Sequence, residues 1–109
     1  MPNKYVNAKK DLTSTSATTL YTSPALTTGI VKSILVSEDS GNADTITVTI
    51  TDAESSPATF SLFKTKSISA NGTTELLTSP LVIKTGEILK VTAATANRLH
   101  VVASILEVS

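Results

Sequence analysis

The chain contains no cysteine and no tryptophan, only two tyrosines and two phenylalanines, and four glycines in 109 residues. Each shortage removes a class. Without cysteine there is no disulfide scaffold and no thiolate metal site. Gly29, Gly41, Gly72 and Gly86 stand far apart and each marks a single turn, so no glycine-rich loop can cradle a phosphate. Four aromatics, Tyr5, Tyr21, Phe60 and Phe63, leave little on which a sugar ring could stack, and Phe60 is expected in the core. Nor is there a charge excess: nine basic residues balance nine acidic ones, where a nucleic-acid binder needs a basic surplus. No run approaches the roughly 18 apolar residues that span a bilayer, so no membrane partner is expected. The opening residues, Met1 to Asn7, hold no apolar stretch fit for a signal-peptide core, and synthesis in a cytoplasm is the expectation.

Hydroxyl and β-branched residues fill the space these absences leave. There are 19 threonines and 14 serines, and threonine, valine and isoleucine together make 36 β-branched residues. Such side chains crowd a helix and suit a pleated sheet. Leucine, isoleucine, valine and phenylalanine supply 30 residues, enough for a core and too many for a disordered chain.

The apolar period is two. In Thr45–Thr51, Ile46, Val48 and Ile50 fall on one face and threonines on the other, the pattern of a strand with one buried and one wet face. Residues 29–37 read differently: Ile30, Ile34 and Val36 share a face, while Val31 and Leu35 make the second face apolar as well. Residues 99–108 are almost wholly apolar and should lie mid-sheet. Turn signals at Ser23-Pro24, Ser40-Gly41-Asn42, Ser56-Pro57, Asn71-Gly72, Ser79-Pro80, Thr85-Gly86 and Ala96-Asn97 separate eight or nine short strands. The fold class is therefore all-β: one antiparallel β-sandwich domain. An eight-stranded jelly roll is the first expectation and an immunoglobulin-like sandwich the alternative. Residues 18–109 form the sandwich, and residues 1–17, polar around Lys9-Lys10-Asp11 and Thr13–Ser16, form an N-terminal arm or first strand.

Catalytic chemistry finds little to work with. His100 is the sole histidine, and no serine sits in a Gly-x-Ser-x-Gly elbow, so no enzyme activity and no cofactor are expected. The acidic loop Glu38–Asp44 offers oxygen ligands, with Asp39, Asn42 and Asp44 as weak calcium candidates, but it lacks the EF-hand spacing and reads first as a solvated turn, so no metal is expected. Asn71-Gly72-Thr73 matches a glycosylation acceptor in form and a turn in substance. Apolar residues on outer strand faces, Val31, Leu35, Phe63 and Val102, are candidate subunit contacts. In the arm, Tyr5, Val6, Lys9 and Lys10 could dock on a partner by strand addition.

The run Thr19-Leu20-Tyr21-Thr22-Ser23-Pro24 followed by Gly29-Ile30-Val31-Lys32-Ser33-Ile34 resembles a phrase found in small virion structural proteins of tailed bacteriophages, those of marine and cyanobacterial hosts above all. The resemblance continues through Ser40–Val48 and Gly86–Val91 and covers most of the chain after Leu12. It implies a non-enzymatic part of the virion's outer surface, foremost a capsid decoration (cement) protein that stabilises the head lattice. Its partners would be itself, as a homotrimer, and the major capsid protein. The alternative it implies is a tail or fibre component that recognises a host surface glycan.

Overall fold

The computed structural model describes residues 3–54 and 56–109; Met1, Pro2 and Ser55 lie outside the described residues. Nine strands follow in chain order: β1 (Lys4–Asp11), β2 (Thr18–Thr22), β3 (Thr28–Glu38), β4 (Asp44–Thr51), β5 (Thr59–Ile68), β6 (Thr73–Glu75), β7 (Leu81–Ile83), β8 (Ile88–Ala93) and β9 (Leu99–Val108). Among the described residues there is no helix, and so none long and apolar enough to cross a membrane.

All pairings are antiparallel and fall into two sheets. Sheet A runs β1-β9-β3, with β6 and β7 both pairing the far edge of β3; sheet B runs β2-β8-β4-β5. β6 and β7 meet opposite ends of β3 and act as one strand interrupted at residues 76–80. Counted so, the sandwich has eight strands in two fours, and the chain crosses between sheets at nearly every connection. First and last strands lie side by side, which is the jelly-roll winding. An immunoglobulin-like sandwich would put the second strand beside the first in one sheet, whereas β2 lies in the opposite sheet from β1.

The core is made by strands that alternate as the period of two requires. Ile46 and Val48 of β4, and Leu89, Val91 and Ala93 of β8, point inward, while Thr45, Thr47, Thr49 and Thr51 line the outer face of sheet B. Facing them across the sandwich are Leu99, Val101, Ala103 and Ile105 of β9. Leu12, just past β1, is buried too; its N–H donates to the Leu99 carbonyl at 3.0 Å.

Three strands break the alternation, each at a bulge, where one extra residue flips the parity of all that follow. In β2 the register shifts between Thr19 and Tyr21, so the consecutive Leu20 and Tyr21 are both buried. In β3 it shifts between Val31 and Ser33, so the inward set is Val31, Ile34 and Val36, with Ile30 on the outer face. This corrects the expected face of Ile30, Ile34 and Val36. In β5 two irregularities fall between Ser61 and Lys66; Phe60 precedes them, pairs with Ile50 at the start of this edge strand and is more exposed than buried, where a core position was expected. Tyr21 turns its ring over Gly29, and a Cβ there would stand 2.8 Å from the ring and 2.9 Å from its hydroxyl. The hydroxyl donates to Glu107 Oε2 at 2.7 Å; burial first, then this carboxylate, hold the phenol well above its ordinary pKa.

Candidate functional site

Sheet pairing sorts the outward side chains of sheet A into rows across the strands. One row is Tyr5, Leu106, Ile30 and Val82, from β1, β9, β3 and β7. A second is Lys9, Val102, Leu35 and Glu75. Between them runs a polar row of Asn7, Ser104 and Ser33, and beyond them one of Asp11, His100, Ser37 and Thr73. Tyr5 is 80% exposed, Val82 52% and Leu35 41%, so the apolar rows face solvent. Sheet B is polar by contrast, with threonines on β4 and Thr92 and Lys90 on β8 beside a half-buried Ile88. Isolated apolar residues are ordinary on a surface, but two rows with apolar centres on one sheet, separated only by small polar side chains, mark a contact face.

The expected contact residues divide on this geometry. Tyr5, Lys9 and Leu35 lie on the outer face, and Lys10 is exposed on the edge strand β1. Val6 turns inward and packs against the core. Val31 cannot be a contact residue: the β3 bulge turns it into the sandwich, where it is fully buried. Phe63 is half-buried and, with Leu62, Leu76, Leu77 and Leu81, lines an open cleft of about 320 Å³ between β5 and the 76–80 excursion; Thr78 and Ser79 supply hydroxyls at its rim. Residues 4–11, read as an arm or first strand, pair along their length with β9, which leaves the other edge of β1 open.

At the far end of the same face His100 stands between two carboxylates. Its Nε2 lies 3.2 Å from Asp11 Oδ1 and its Nδ1 3.5 Å from Asp39 Oδ2. A neutral imidazole donates to one of them; only the doubly protonated ring donates to both.

The acidic loop does not converge on a metal position. Asp39 turns to His100, Asn42 Nδ2 reaches the Ser40 carbonyl at 3.4 Å, and Asp44 is buried and accepts from the Thr95 N–H at 3.0 Å. Among the described residues no group of three or more histidine or acidic side chains is placed to hold a metal ion. The organising acid is Glu38, which sequence reading passed over. Its buried carboxylate accepts the N–H groups of Ser40 (2.8 Å), Gly41 (3.0 Å) and Asn71 (3.0 Å) and the Ser40 hydroxyl. Burial works against the charge, yet these donors outweigh it and lower the pKa to about 2. Glu75 plays a like part at the β3 bulge, accepting from the Ser33 hydroxyl and from the N–H groups of Ile34 (2.8 Å) and Leu77 (3.1 Å). Again the donors outweigh burial and lower its pKa.

One further feature stands out. Leu26, on the loop between β2 and β3, is 90% exposed and has a φ of 57°, in the left-handed region. Ser23 Oγ donates to the Thr27 carbonyl at 2.8 Å and the Thr27 N–H to Thr85 Oγ1 at 3.1 Å, fixing the loop from beneath. No motif announced Leu26; the only sequence signal was an apolar residue inside a Pro-initiated turn. Searched against protein families and curated proteins, the chain matches no family model and no curated protein at a significant level.

Proposed function

We propose that this protein is a non-enzymatic structural component of a bacteriophage virion, a capsid decoration protein on the outer surface of the head that binds copies of itself and the major capsid protein. The observation that carries the reading is the contrast between the two outer faces: apolar rows on sheet A, threonines on sheet B. A lattice-stabilising part needs one face for protein and one for water, and a fold without charge excess lets many copies lie close together. The sole histidine, His100, has a carboxylate beside each ring nitrogen, an arrangement in keeping with a surface ion-pair role in such a part. Particles assembled without the protein should lose their contents at lower temperature and lower salt than complete ones; equal resistance would sink the reading.

The second reading is a tail or fibre part that takes a host glycan. It is favoured by the open cleft, which joins one aromatic, Phe63, to the Thr78 and Ser79 hydroxyls. On that reading deletion abolishes adsorption and leaves head stability unchanged.

A further inference from the structure

The apolar face of sheet A has a symmetry of its own. Take an axis running along the strands, in the plane of contact and between β9 and β3. A second copy rotated by half a turn about it brings its β3 over β9 and its β6/β7 edge over β1. In the row Lys9, Val102, Leu35, Glu75 this sets Lys9 against the partner copy's glutamate at the same row's far end, and Val102 against its leucine. In the row Tyr5, Leu106, Ile30, Val82 every residue meets an apolar one. An axis across the strands does worse, setting Glu75 against valine and Lys9 against tyrosine, with both charges unmatched. Lys32, exposed at the bulge in the polar middle row, is the one charge near the centre, and its long stem can carry the ammonium outward.

Shape and size agree with charge. A shallow hollow of about 290 Å³, bordered by Lys9, Asp11, His100 and Val102, lies where the second copy's leucine of that row arrives. Four strands abreast at about 4.8 Å, over a shared register of eight residues at about 3.3 Å each, make a face of roughly 500 Å². Two such faces bury on the order of 1,000 Å², the size at which specific association begins.

We propose that two copies of this chain pair sheet A to sheet A about this two-fold axis, with Lys9 and Glu75 forming reciprocal charge pairs at the rim and Leu35 packing on Val102 across the contact. The proposal deepens the structural-protein reading by naming the self-contact, and it differs from a trimer. Its test needs no virion, so it stands or falls apart from the head-stability experiment.

Sedimentation equilibrium of the full chain should give about twice the 11.3 kDa chain mass. Leu35→Asp, which sets a carboxylate against apolar surface, should weaken the pair about a hundredfold. Lys9→Glu, which faces like charge, should weaken it about tenfold. The absence of cysteine permits a cleaner second measurement. Ser104→Cys lies beside the axis, so its Cα atoms in the pair stand roughly 11 Å apart, one strand spacing sideways and one sheet spacing across, with the thiols facing each other inside that span. A bismaleimide of that span should link most of the chain into dimers, while Ser61→Cys, on the exposed edge strand of sheet B, should not. A monomer at every concentration overturns the proposal. So does a trimer indifferent to Leu35→Asp, or equal cross-linking of the two cysteine variants.

Discussion

Leu26 is held where the chain itself gains nothing from it, and that makes its replacement informative. A non-glycine residue in the left-handed region costs about 1–2 kcal/mol, because Cβ crowds the following carbonyl. At a φ of 57° and 90% exposure, Leu26 bears that cost with almost no burial in return. A fully buried leucine is worth about 2–3 kcal/mol, so a tenth of it is about 0.2–0.3 kcal/mol. Asparagine enters the left-handed region readily, its amide bonding locally to the backbone. Leu26→Asn should therefore stabilise the isolated chain by about 1 kcal/mol, a rise in Tm of about 4 °C for a domain of this size. Leu26→Gly should gain less, since glycine adds about 0.5–1 kcal/mol of unfolded-state entropy. Leu26→Ala, which keeps Cβ and the strain, should gain nothing. The assay is calorimetric melting of the three variants beside wild type at one low concentration. Any order other than asparagine above glycine above alanine and leucine would refute the reasoning, and a fall in Tm for all three would mean Leu26 is covered in solution.

Three more outcomes are expected. Glu38, at about 2 in the folded chain against an ordinary 4.5, adds stability that is complete above about pH 4.5 and lost as pH falls through about 2; wild-type Tm should drop across that window, and Glu38→Gln should melt lower at neutral pH with a flatter acid profile. Gly29→Ala drives a methyl into Tyr21 and should cost about 2–3 kcal/mol in urea unfolding, more than the roughly 1.5 kcal/mol of Tyr21→Phe, which only removes the bond to Glu107; the reverse order would place the strain elsewhere. Removing the last eight residues takes Ala103 and Ile105 from the core and leaves β1 and β3 without half their partner, so the protein should not accumulate in soluble form; a soluble, folded truncation would contradict the central place of β9.

How far the structure could be read from the sequence depends on where the backbone kept step. In β4 and β8 the period of two runs unbroken, and reading alternate residues places Ile46, Val48, Leu89 and Val91 inward, as found. In β3 the same reading fails after Val31 because Lys32 and Ser33 together oppose Ser104, and nothing in those residue types marks the extra residue. Val31 was misread as a contact residue for that reason alone. The acids posed a different difficulty. Glu38 and Asp39 are neighbours of one type, yet one turns inward to backbone N–H groups and the other outward to His100. Only strand parity separates them, and parity in β3 is set by the bulge. The apolar outer face was half legible: Leu35 stood out within its strand, but Tyr5, Ile30, Val82 and Leu106 form a row only once β1, β9, β3 and β7 are laid in order.

The bulge that misled the reading also builds the face. Had β3 run without it, Ile30 and Ile34 would share a side, and either the core or the outer surface would lose an isoleucine. With the extra residue, Val31, Ile34 and Val36 fill the sandwich while Ile30 and Leu35 remain outside. Glu75 then serves both ends. Its carboxylate satisfies the Ile34 N–H and the Ser33 hydroxyl at the irregularity, and its charge stands at the edge of the outer face opposite Lys9. Removing that carboxylate would disturb the local backbone and the rim together, whereas Lys9, whose side chain is exposed on an edge strand, can be reversed with the fold left intact. The charge reversal at Lys9 therefore separates contact from folding.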